Sequence, residues 1–460
     1  MPPILVLNTV ALTNRHLSLA PRLSQLADSG WQRPLGEVLP AVTCTAQSTM
    51  LTGSTASEHG IVGNGWCWRD TGEVRFWMQS NRLIQREPFY ETARARATER
   101  GQPFRCAKLF WWFNQGAAVD FSVTPKPHYG SDGNKLFDVL GTPAGLTDQL
   151  KKEFGDFPFA SFWGPMAGLP SSQWIANCAV RVLRDHRPEL TLVYLPHLDY
   201  DTQRFNPDSL DWGKLVGELD AACAPVLDAA KEIGAQVWVV NEYAHVPVNR
   251  PVFLNRELRQ AGLLKVRSGP FGEILDTLES RAFAVCDHQL AHIYVDKSED
   301  VANVRERLSN VAGVNRLYSG EEREEIGLKH DRAGDVIALS DNDAWFAYPY
   351  WLDDKQAPDF ARTVNIHAKP GYDPCELFFD PKLFWPMGRA MWRLLQKKLG
   401  FRTLFDVVPL DASLVKGSHG LSVENPENKP VFIGHGEAPE EPVVPMTAVR
   451  DYLLRALALE

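Results

Sequence analysis

The sequence predicts an α/β fold, a three-layer sandwich with a mainly parallel central sheet, formed by one domain over residues 1–460. Three short apolar runs, at residues 4–7, 190–195 and 235–240, have the length and composition of buried strands. Long stretches with helical periodicity separate them. Strands that alternate with helices indicate parallel pairing, with helices covering both faces of the sheet.

Each element follows from local patterning. The run at residues 4–7 ends in the polar Asn8 and leads into a helical pattern at residues 21–27, which Gly30 stops. Helical patterns over residues 172–185 and 211–233 directly precede the second and third runs. The first strand and helix thus form a βα unit, and the later pairs repeat the alternation.

Three segments differ from this pattern. Residues 96–170 are rich in aromatic side chains and proline, which fits either a lid over a cleft or the core of an insertion. Residues 282–339 read as a small α/β subdomain. Residues 424–445, rich in Pro, Glu and Gly, are typical of a surface excursion before a last helix at residues 445–457.

Composition limits the function classes. A formal net charge of −9 argues against binding along a nucleic-acid polymer, whereas a small phosphorylated substrate remains compatible with it. Seven scattered cysteines without a Cys-x-x-Cys pair fit a reducing compartment. No segment approaches the roughly 20 apolar residues that span a bilayer. We therefore expect a cytoplasmic protein without a membrane partner, and the oligomeric state stays undetermined.

The segment from Thr43 to Asn64 is the most informative part of the chain. A hydroxyl at a helix N-terminus lies among unpaired backbone N–H groups and the positive end of the helix dipole. That position suits a nucleophile that attacks a phosphate or sulfate, but a Thr-x-Thr run is also an ordinary N-cap. From this segment alone both interpretations stay open.

Polar residues follow the three apolar runs, and in a parallel sheet such residues converge on the crevice at the carboxyl ends of the strands. They are Asn8, Asp199 and Glu242. Histidines are the other candidate metal ligands, although each one alone is more often structural. The candidates are His197, His245, His288 beside Asp287, His367 and His419. His419 is favoured because it lies between small residues in Gly417-Ser-His-Gly.

In order and spacing, these residues resemble the alkaline phosphatase superfamily, and within it the nucleotide pyrophosphatase/phosphodiesterase branch. The similarity rests on a threonine ten residues before the glycine of a Thr-Gly pair, followed by His-Gly-Ile-Val-Gly-Asn. That register selects Thr43, Gly53 and residues 59–64. The resemblance extends in chain order to residue 420 and implies an alkaline-phosphatase-like fold.

The resemblance implies a two-metal hydrolase in which a threonine alkoxide attacks phosphorus, and the covalent phospho-enzyme is then hydrolysed. By position it makes Thr43 the nucleophile. It makes seven residues the metal ligands: Asn8, Thr43, Asp199, Gln203, Glu242, Tyr243 and His419.

Four of the implied ligands depart from the family pattern. Asn8 and Glu242 stand where aspartates are expected, and Gln203 and Tyr243 replace histidines. Oxygen ligands favour a hard-cation site over a tight dizinc site, so magnesium or manganese becomes plausible. Either the metals are rearranged, with His197 or His245 recruited, or one or both sites are empty.

We therefore expect a metal-dependent hydrolase of a phosphodiester, pyrophosphate or related phosphoryl substrate, with Phe110 and Trp111 stacking on a ring of that substrate. A phosphomonoesterase or phosphonate hydrolase is an alternative. A sulfatase is disfavoured because no Cys-x-Pro-x-Arg segment lies near residue 43. The second hypothesis is a binding or accessory protein that keeps the scaffold without the chemistry.

Overall fold

A computed structural model describes residues 2–131, 135–401 and 403–459. Its α-helices are α1 Pro21–Ser29, α2 Thr43–Thr52, α3 Ala56–His59, α4 Phe89–Glu99, α5 Leu146–Phe154, α6 Leu169–His186, α7 His197–Arg204, α8 Trp212–Glu232, α9 Leu254–Gln260, α10 Val301–Ser309, α11 Pro386–Lys398 and α12 Val449–Ala456. In the described part of the chain, no helix has both the length and the apolar character needed to cross a membrane.

Thirteen strands form the two larger sheets. They are β1 Ile4–Asn8, β2 Trp31–Gly36, β3 Cys106–Leu109, β4 Phe121–Pro125, β5 Val139–Thr142, β6 Leu190–Tyr194, β7 Gln236–Val240, β8 Ala282–Asp287, β9 Leu290–Val295, β10 Val314–Ser319, β11 Val336–Ser340, β12 Val431–Gly434 and β13 Val444–Pro445. The central sheet has the order β13-β2-β12-β7-β1-β6-β3-β4-β5.

The middle of this sheet is parallel, as the sequence predicts. Strands β7, β1, β6, β3 and β4 pair in parallel, and antiparallel β12 and β5 flank them. Asn8 is in register with Tyr194 on one side and with Val240 on the other. The three strands therefore end at one edge, and the polar residues that follow them lie close together.

Helices pack in two separate groups, α1, α5, α6, α7 and α8 in one and α2, α4 and α12 in the other. The strands between them are almost fully buried, and one continuous apolar core joins the sheet to both groups. Burial on both faces explains why the strands read as unbroken apolar runs rather than alternating ones. The α/β prediction with a mainly parallel central sheet is confirmed.

The two segments that stood apart in the sequence differ in their architecture. Residues 96–170 contribute β3, β4 and β5 to the central sheet itself. Residues 282–339 build a separate four-stranded antiparallel sheet of order β8-β9-β11-β10, with α10 between β9 and β10. This second sheet has its own apolar core, which also includes the side chains of Ile61 and Val62.

The prediction of a surface excursion over residues 424–445 is wrong in part. Strand β12 is fully buried and pairs with both β7 and β2 in the central sheet, and β13 pairs with β2. The apolar run that forms β12 is only four residues long and lies among Pro, Glu and Gly. The composition of the flanking residues therefore predicts a loop, although tertiary packing stabilises a strand there.

Candidate active site

The first candidate residue, Thr43, opens helix α2 at the edge where the parallel strands end. Val42 is extended and Gly53 ends the helix in the left-handed conformation, so the segment is a strand-to-helix turn with a sharp stop. Thr43 is buried but lines the main cleft, and its Oγ1 lies 3.0 Å from the Tyr243 hydroxyl. A hydroxyl at a helix N-terminus is thus presented to a cavity.

Other hydroxyls of α2 have structural partners. Thr45 Oγ1 donates to the Ile61 carbonyl at 3.0 Å, and Ser48 Oγ donates to Cys44 at 2.7 Å. Thr49 Oγ1 lies 3.1 Å from Nε2 of His59, whose buried ring keeps a pKa of about 3. Within α2, only Thr43 has a side chain that reaches the cleft.

A second network fixes the N-terminus of α2. Asn64 Oδ1 accepts the backbone N–H of Cys44 at 3.0 Å, and Asp287 accepts both the N–H of Asn64 at 2.7 Å and its Nδ2 at 3.1 Å. Burial raises the pKa of Asp287 to about 7. The loop at residues 59–64 and strand β8 therefore hold the turn that carries Thr43.

Glu242 lies behind Thr43 and makes an unusual set of contacts. Its Oε1 accepts from Asn8 Nδ2 and from Gln47 Nε2, each at 2.6 Å. Among the described residues, Glu242 Oε2 and Asn8 Oδ1 have no hydrogen-bond partner. Burial raises the Glu242 pKa to about 8, against the opposing effect of contacts with Gln47, Asn8 and Thr43. In its ionised form the Glu242 carboxylate has one buried oxygen without a donor among the described residues, close to Thr43.

Asp199 is the centre of a second cluster. Its Oδ1 lies 3.3 Å from His245 Nε2, 3.9 Å from His419 Nε2 and 3.1 Å from the Tyr243 hydroxyl, which donates to it. One ligand atom from each of Asp199, His245 and His419 lies within 4.8 Å of the others. Burial alone would raise the Asp199 pKa. The hydrogen bond and charge of His245, the charge of His419 and the hydrogen bond from Tyr243 together lower the pKa below its ordinary value.

Short backbone contacts bring these three residues together. Residues 246–247 pair with residues 417–418 in an antiparallel ladder, which places His245 and His419 side by side. A Cβ on Gly417 would lie 1.8 Å from the Thr202 carbonyl oxygen, so only glycine lets this ladder approach helix α7, which carries Asp199. Gly417, two residues before His419, is therefore required by packing.

The orientation of the His419 ring is well defined. Its Nδ1 lies 2.7 Å from the carbonyl of Ala41, and burial lowers the His419 pKa to about 3. The ring is therefore neutral, with the proton on Nδ1 and a free lone pair on Nε2. Tyr243 stacks on one side at 3.6 Å, and His288 contacts the ring at 3.6 Å.

Gln203, which was predicted to bind metal, makes two side-chain hydrogen bonds within the protein. Gln203 Nε2 donates to Asp199 Oδ2 at 3.1 Å, and its Oε1 accepts from the Tyr372 hydroxyl at 2.9 Å. Both ends of the amide are therefore in use, and Gln203 orients Asp199 instead. Tyr243, also predicted as a metal ligand, donates its hydroxyl hydrogen to Asp199, and burial raises the Tyr243 pKa well above its ordinary value.

The prediction for Phe110 and Trp111 is also corrected. Both rings are buried in the main core, where Phe110 packs against Phe157 and Trp174. The neighbouring Trp112 faces the cleft in their place. Phe110 and Phe113 have φ values of 64° and 55°, and these left-handed residues break the alternation from which the inward-facing side chains would be predicted.

The cleft is lined largely by aromatic rings, with lysines among them. The rings are Trp77, Trp112, Phe137, Phe159, Phe162 and Trp163. Lys126 and Lys135 also line it, and two of the candidate histidines, His288 and His367, lie at its wall. His197 instead lies 3.2 Å from Glu218 and takes no part in the Asp199 cluster.

Several residues of this site were not identified as site residues from the sequence. Gln47 and Asn64 fall inside the segment that suggested the nucleophile, so their position was the available signal. Tyr372, which positions Gln203, gave no signal because it follows no strand and belongs to no motif. Tyr194, at the end of β6, lines the cleft and was hidden inside an apolar run.

Comparison with known proteins identifies the family of this chain. The family model for type I phosphodiesterase/nucleotide pyrophosphatase matches residues 7–373, which is most of the chain. The chain belongs to this family. The predicted superfamily, and the prediction that the protein is a hydrolase, are thereby confirmed. No curated protein has a significant sequence match to the chain.

Solved structures share the fold at low sequence identity. Phosphonoacetate hydrolase from Sinorhizobium meliloti 1021, in complex with phosphonoformate, is 15% identical with a TM-score of 0.62, over 99% of this chain and 96% of that one. Murine ectonucleotide pyrophosphatase/phosphodiesterase 5 is 14% identical with a TM-score of 0.59, over 100% and 95%. An inactive form of the same murine protein is in complex with AMP, with the same identity and TM-score.

Family membership supports metal dependence, and the residues differ in how well they suit a cation. Asp199, His245 and His419 supply one carboxylate and two imidazoles, a donor set that zinc and manganese accept. His245 Nδ1 is buried without a hydrogen-bond partner in the described chain, and its Nε2 lies 3.3 Å from Asp199. Asn8, Glu242 and Tyr243 supply a single carboxylate, one oxygen of which already accepts two amides. The first set fits a metal, and the second fits one poorly.

Proposed function

We propose that this protein hydrolyses a phosphoryl substrate, a phosphodiester, pyrophosphate or related compound, with Thr43 as the nucleophile and one divalent cation at Asp199, His245 and His419. The observation that carries the proposal is the Thr43 hydroxyl at a helix N-terminus, facing the same cleft as Asp199 and His419. That cation would polarise the phosphoryl oxygens when bound. Zinc, manganese and magnesium are the candidates.

Thr43 and its neighbours then perform the chemistry. The bond from Thr43 Oγ1 to phosphorus forms while the bond to the leaving group breaks, and the leaving group departs with the electron pair. The positive end of the α2 dipole faces the developing negative charge. Water then attacks the phosphothreonine, which releases phosphate or a phosphate ester and restores the hydroxyl.

Glu242 is the group we assign to accept the Thr43 proton. Its Oε2 has no donor in the described chain. Glu242 lies close enough to Thr43 for the Thr43 hydroxyl to lower the Glu242 pKa. Tyr243 has a single hydroxyl hydrogen, which serves either Asp199 or Thr43. When that hydrogen points to Thr43, the Thr43 hydrogen is free to point to Glu242. Glu242 thus acts as a general base where the family pattern would place a metal ligand.

The first experiment tests the nucleophile. Thr43→Ala should lower kcat toward a nitrophenyl phosphodiester by at least about a thousandfold, because no other α2 hydroxyl reaches the cleft. Thr45→Ala is the matched control, since the Thr45 hydroxyl donates to the Ile61 carbonyl and its loss should leave kcat nearly unchanged. Acid quenching during turnover should trap a phosphoryl group on Thr43. Unaltered kcat in Thr43→Ala refutes the assignment.

The second experiment tests the cation. Elemental analysis of the purified protein should find close to one divalent metal per chain, and His245→Gln should lose most of it. His367→Gln is the control, because His367 lines the cleft outside the cluster. A protein that binds no zinc, manganese or magnesium, but still binds phosphorylated ligands, would support the accessory-protein hypothesis instead.

A further inference from the structure

Helix α11 packs against the protein with its polar side inward. Arg389 and Arg393 both pair with Asp406, and Ala390 is buried in a small apolar cluster. In most surface helices the apolar stripe faces the core and the charged residues face solvent. Here the arginines anchor the helix, so its apolar side is left without a partner in the described chain.

The outward side of α11 is formed by large apolar residues. Met387, Met391, Trp392, Leu394 and Leu395 are between 44% and 61% exposed, and their spacing places them on one broad face of the helix. Further exposed rings and apolar side chains flank it: Phe384, Trp385, Leu399 and Phe401. Single exposed apolar residues are ordinary, but a continuous patch of this kind marks a surface that something covers.

The charges around this patch identify what covers it. Residues 382–401 contain five Lys or Arg and no Asp or Glu, although the whole chain has a net charge of −9. Arg389 and Arg393 share one carboxylate, Asp406, which offsets one of their two positive charges. Lys382, Lys397 and Lys398 make no ion pair within the described residues, and all three are exposed. An apolar face bordered by free lysines complements a surface that is apolar inside and negative outside.

We propose that helix α11 and its flanks dock onto the interface of an anionic lipid bilayer. The helix would lie in the plane of the membrane with its Trp, Met and Leu side chains among the acyl chains and Lys397 and Lys398 at the headgroups. A second copy of this chain suits the patch less well. A two-fold contact between identical patches would bring the free lysines of both copies together.

This proposal replaces the sequence-based expectation of no membrane partner with a peripheral contact. It adds no membrane-spanning segment. The arrangement was not evident from the sequence, because an amphipathic stripe reads the same whether it faces the core or solvent. Only the pairing of Arg389 and Arg393 with Asp406 determines which side points outward. The proposal is independent of the phosphoryl chemistry.

The experiment is flotation of the full-length protein with vesicles. We expect it to float with phosphatidylcholine vesicles that contain about one third phosphatidylglycerol, and much less with phosphatidylcholine alone, with the difference reduced at high salt. Trp392→Glu and Leu395→Glu should each lower the partition coefficient at least about tenfold. Lys397→Gln and Lys398→Gln should each lower it about fivefold.

Controls separate docking from folding and from general stickiness. Phe271→Glu changes an equally exposed ring outside the patch and should leave flotation unchanged. All variants should keep wild-type hydrolysis of a soluble nitrophenyl ester. Failure of the wild-type protein to float, or equal flotation with neutral vesicles, overturns the proposal. A dimer in solution that Trp392→Glu dissociates would assign the patch to a second copy and would also overturn it.

Discussion

Replacing Glu242 with glutamine distinguishes between two roles for Glu242, general base and metal ligand. In the wild-type chain Oε1 accepts from Asn8 and Gln47. The glutamine carbonyl must take that place, because an NH₂ group there would face two other donors. The new NH₂ group therefore occupies the position of Oε2, and Thr43 meets a donor where it had an acceptor. The shape is kept and only the proton chemistry changes.

The expected activity loss follows from that geometry. Removal of a positioned general base typically lowers kcat by about 10²- to 10⁴-fold, and the phosphodiester assay should show a loss in this range. Metal content should stay at the wild-type level, because the cluster of Asp199, His245 and His419 is untouched. Elemental analysis of the same preparation measures this.

Stability should change in the opposite direction. The Glu242 pKa is raised from 4.5 to about 8 in the fold, so the unfolded chain releases this proton at lower pH than the folded one. The wild-type protein therefore loses stability as pH rises from 4.5 to 8 through this group. At pH 7 the cost is about 3 kcal/mol, and Glu242→Gln should recover most of it. Urea unfolding of chelator-treated protein at pH 5 and pH 7 measures the difference.

Three results would contradict the reasoning. If Glu242→Gln keeps its kcat, Glu242 is not the base. If it loses metal together with activity, Glu242 is a ligand, and the family's first metal position is occupied after all. If the variant is less stable than wild type at pH 7, the buried Glu242 carboxyl group does not destabilise the fold at that pH.

Further predictions concern residues around the site. Lys108 is buried with its pKa lowered by that burial to about 7, so the fold gains stability as pH rises from 7 toward 10.5; Lys108→Met should remove this slope and stabilise the protein by about 4 kcal/mol at pH 6 in urea unfolding. Gly417→Ala should reduce metal occupancy, because its Cβ would clash with α7, whereas Gly217→Ala has open space and should keep full occupancy. Trp112→Ala should raise KM and also lower stability, because Trp112 lines the cleft and belongs to the second apolar core; Trp111→Ala should lower the unfolding free energy by about 3 kcal/mol or more while KM stays near the wild-type value.

Residues that depend on strand order could be predicted from the sequence. Asn8, Asp199 and Glu242 converge because parallel strands in register end at one edge, and β1 is in register with both β6 and β7. Thr43 followed from its position at the start of a helix and from the spacing of the residues after it. These inferences need only chain order and periodicity, which the sequence contains.

Other features depend on contacts that periodicity does not encode. His245 lies beside Asp199 only because residues 246–247 pair with residues 417–418, about 170 residues later in the chain. The amide of Gln203 is engaged at both ends by partners that share no motif with it. Strand β12 is stabilised by its place between β7 and β2 rather than by its own composition.

Buried polar atoms without partners argue for a ligand-binding site over a scaffold that has lost its chemistry. Buried polar groups in proteins are nearly always hydrogen-bonded, and each exception destabilises the fold. In the described chain Asn8 Oδ1, Glu242 Oε2 and His245 Nδ1 lack partners. All three residues belong to the network around Thr43 and Asp199. An isolated core polar group would be a local defect, whereas several such groups at one cleft wall are donors and acceptors directed at what binds there. Loading the protein with manganese or zinc should therefore raise its unfolding temperature, and His245→Gln should abolish that rise.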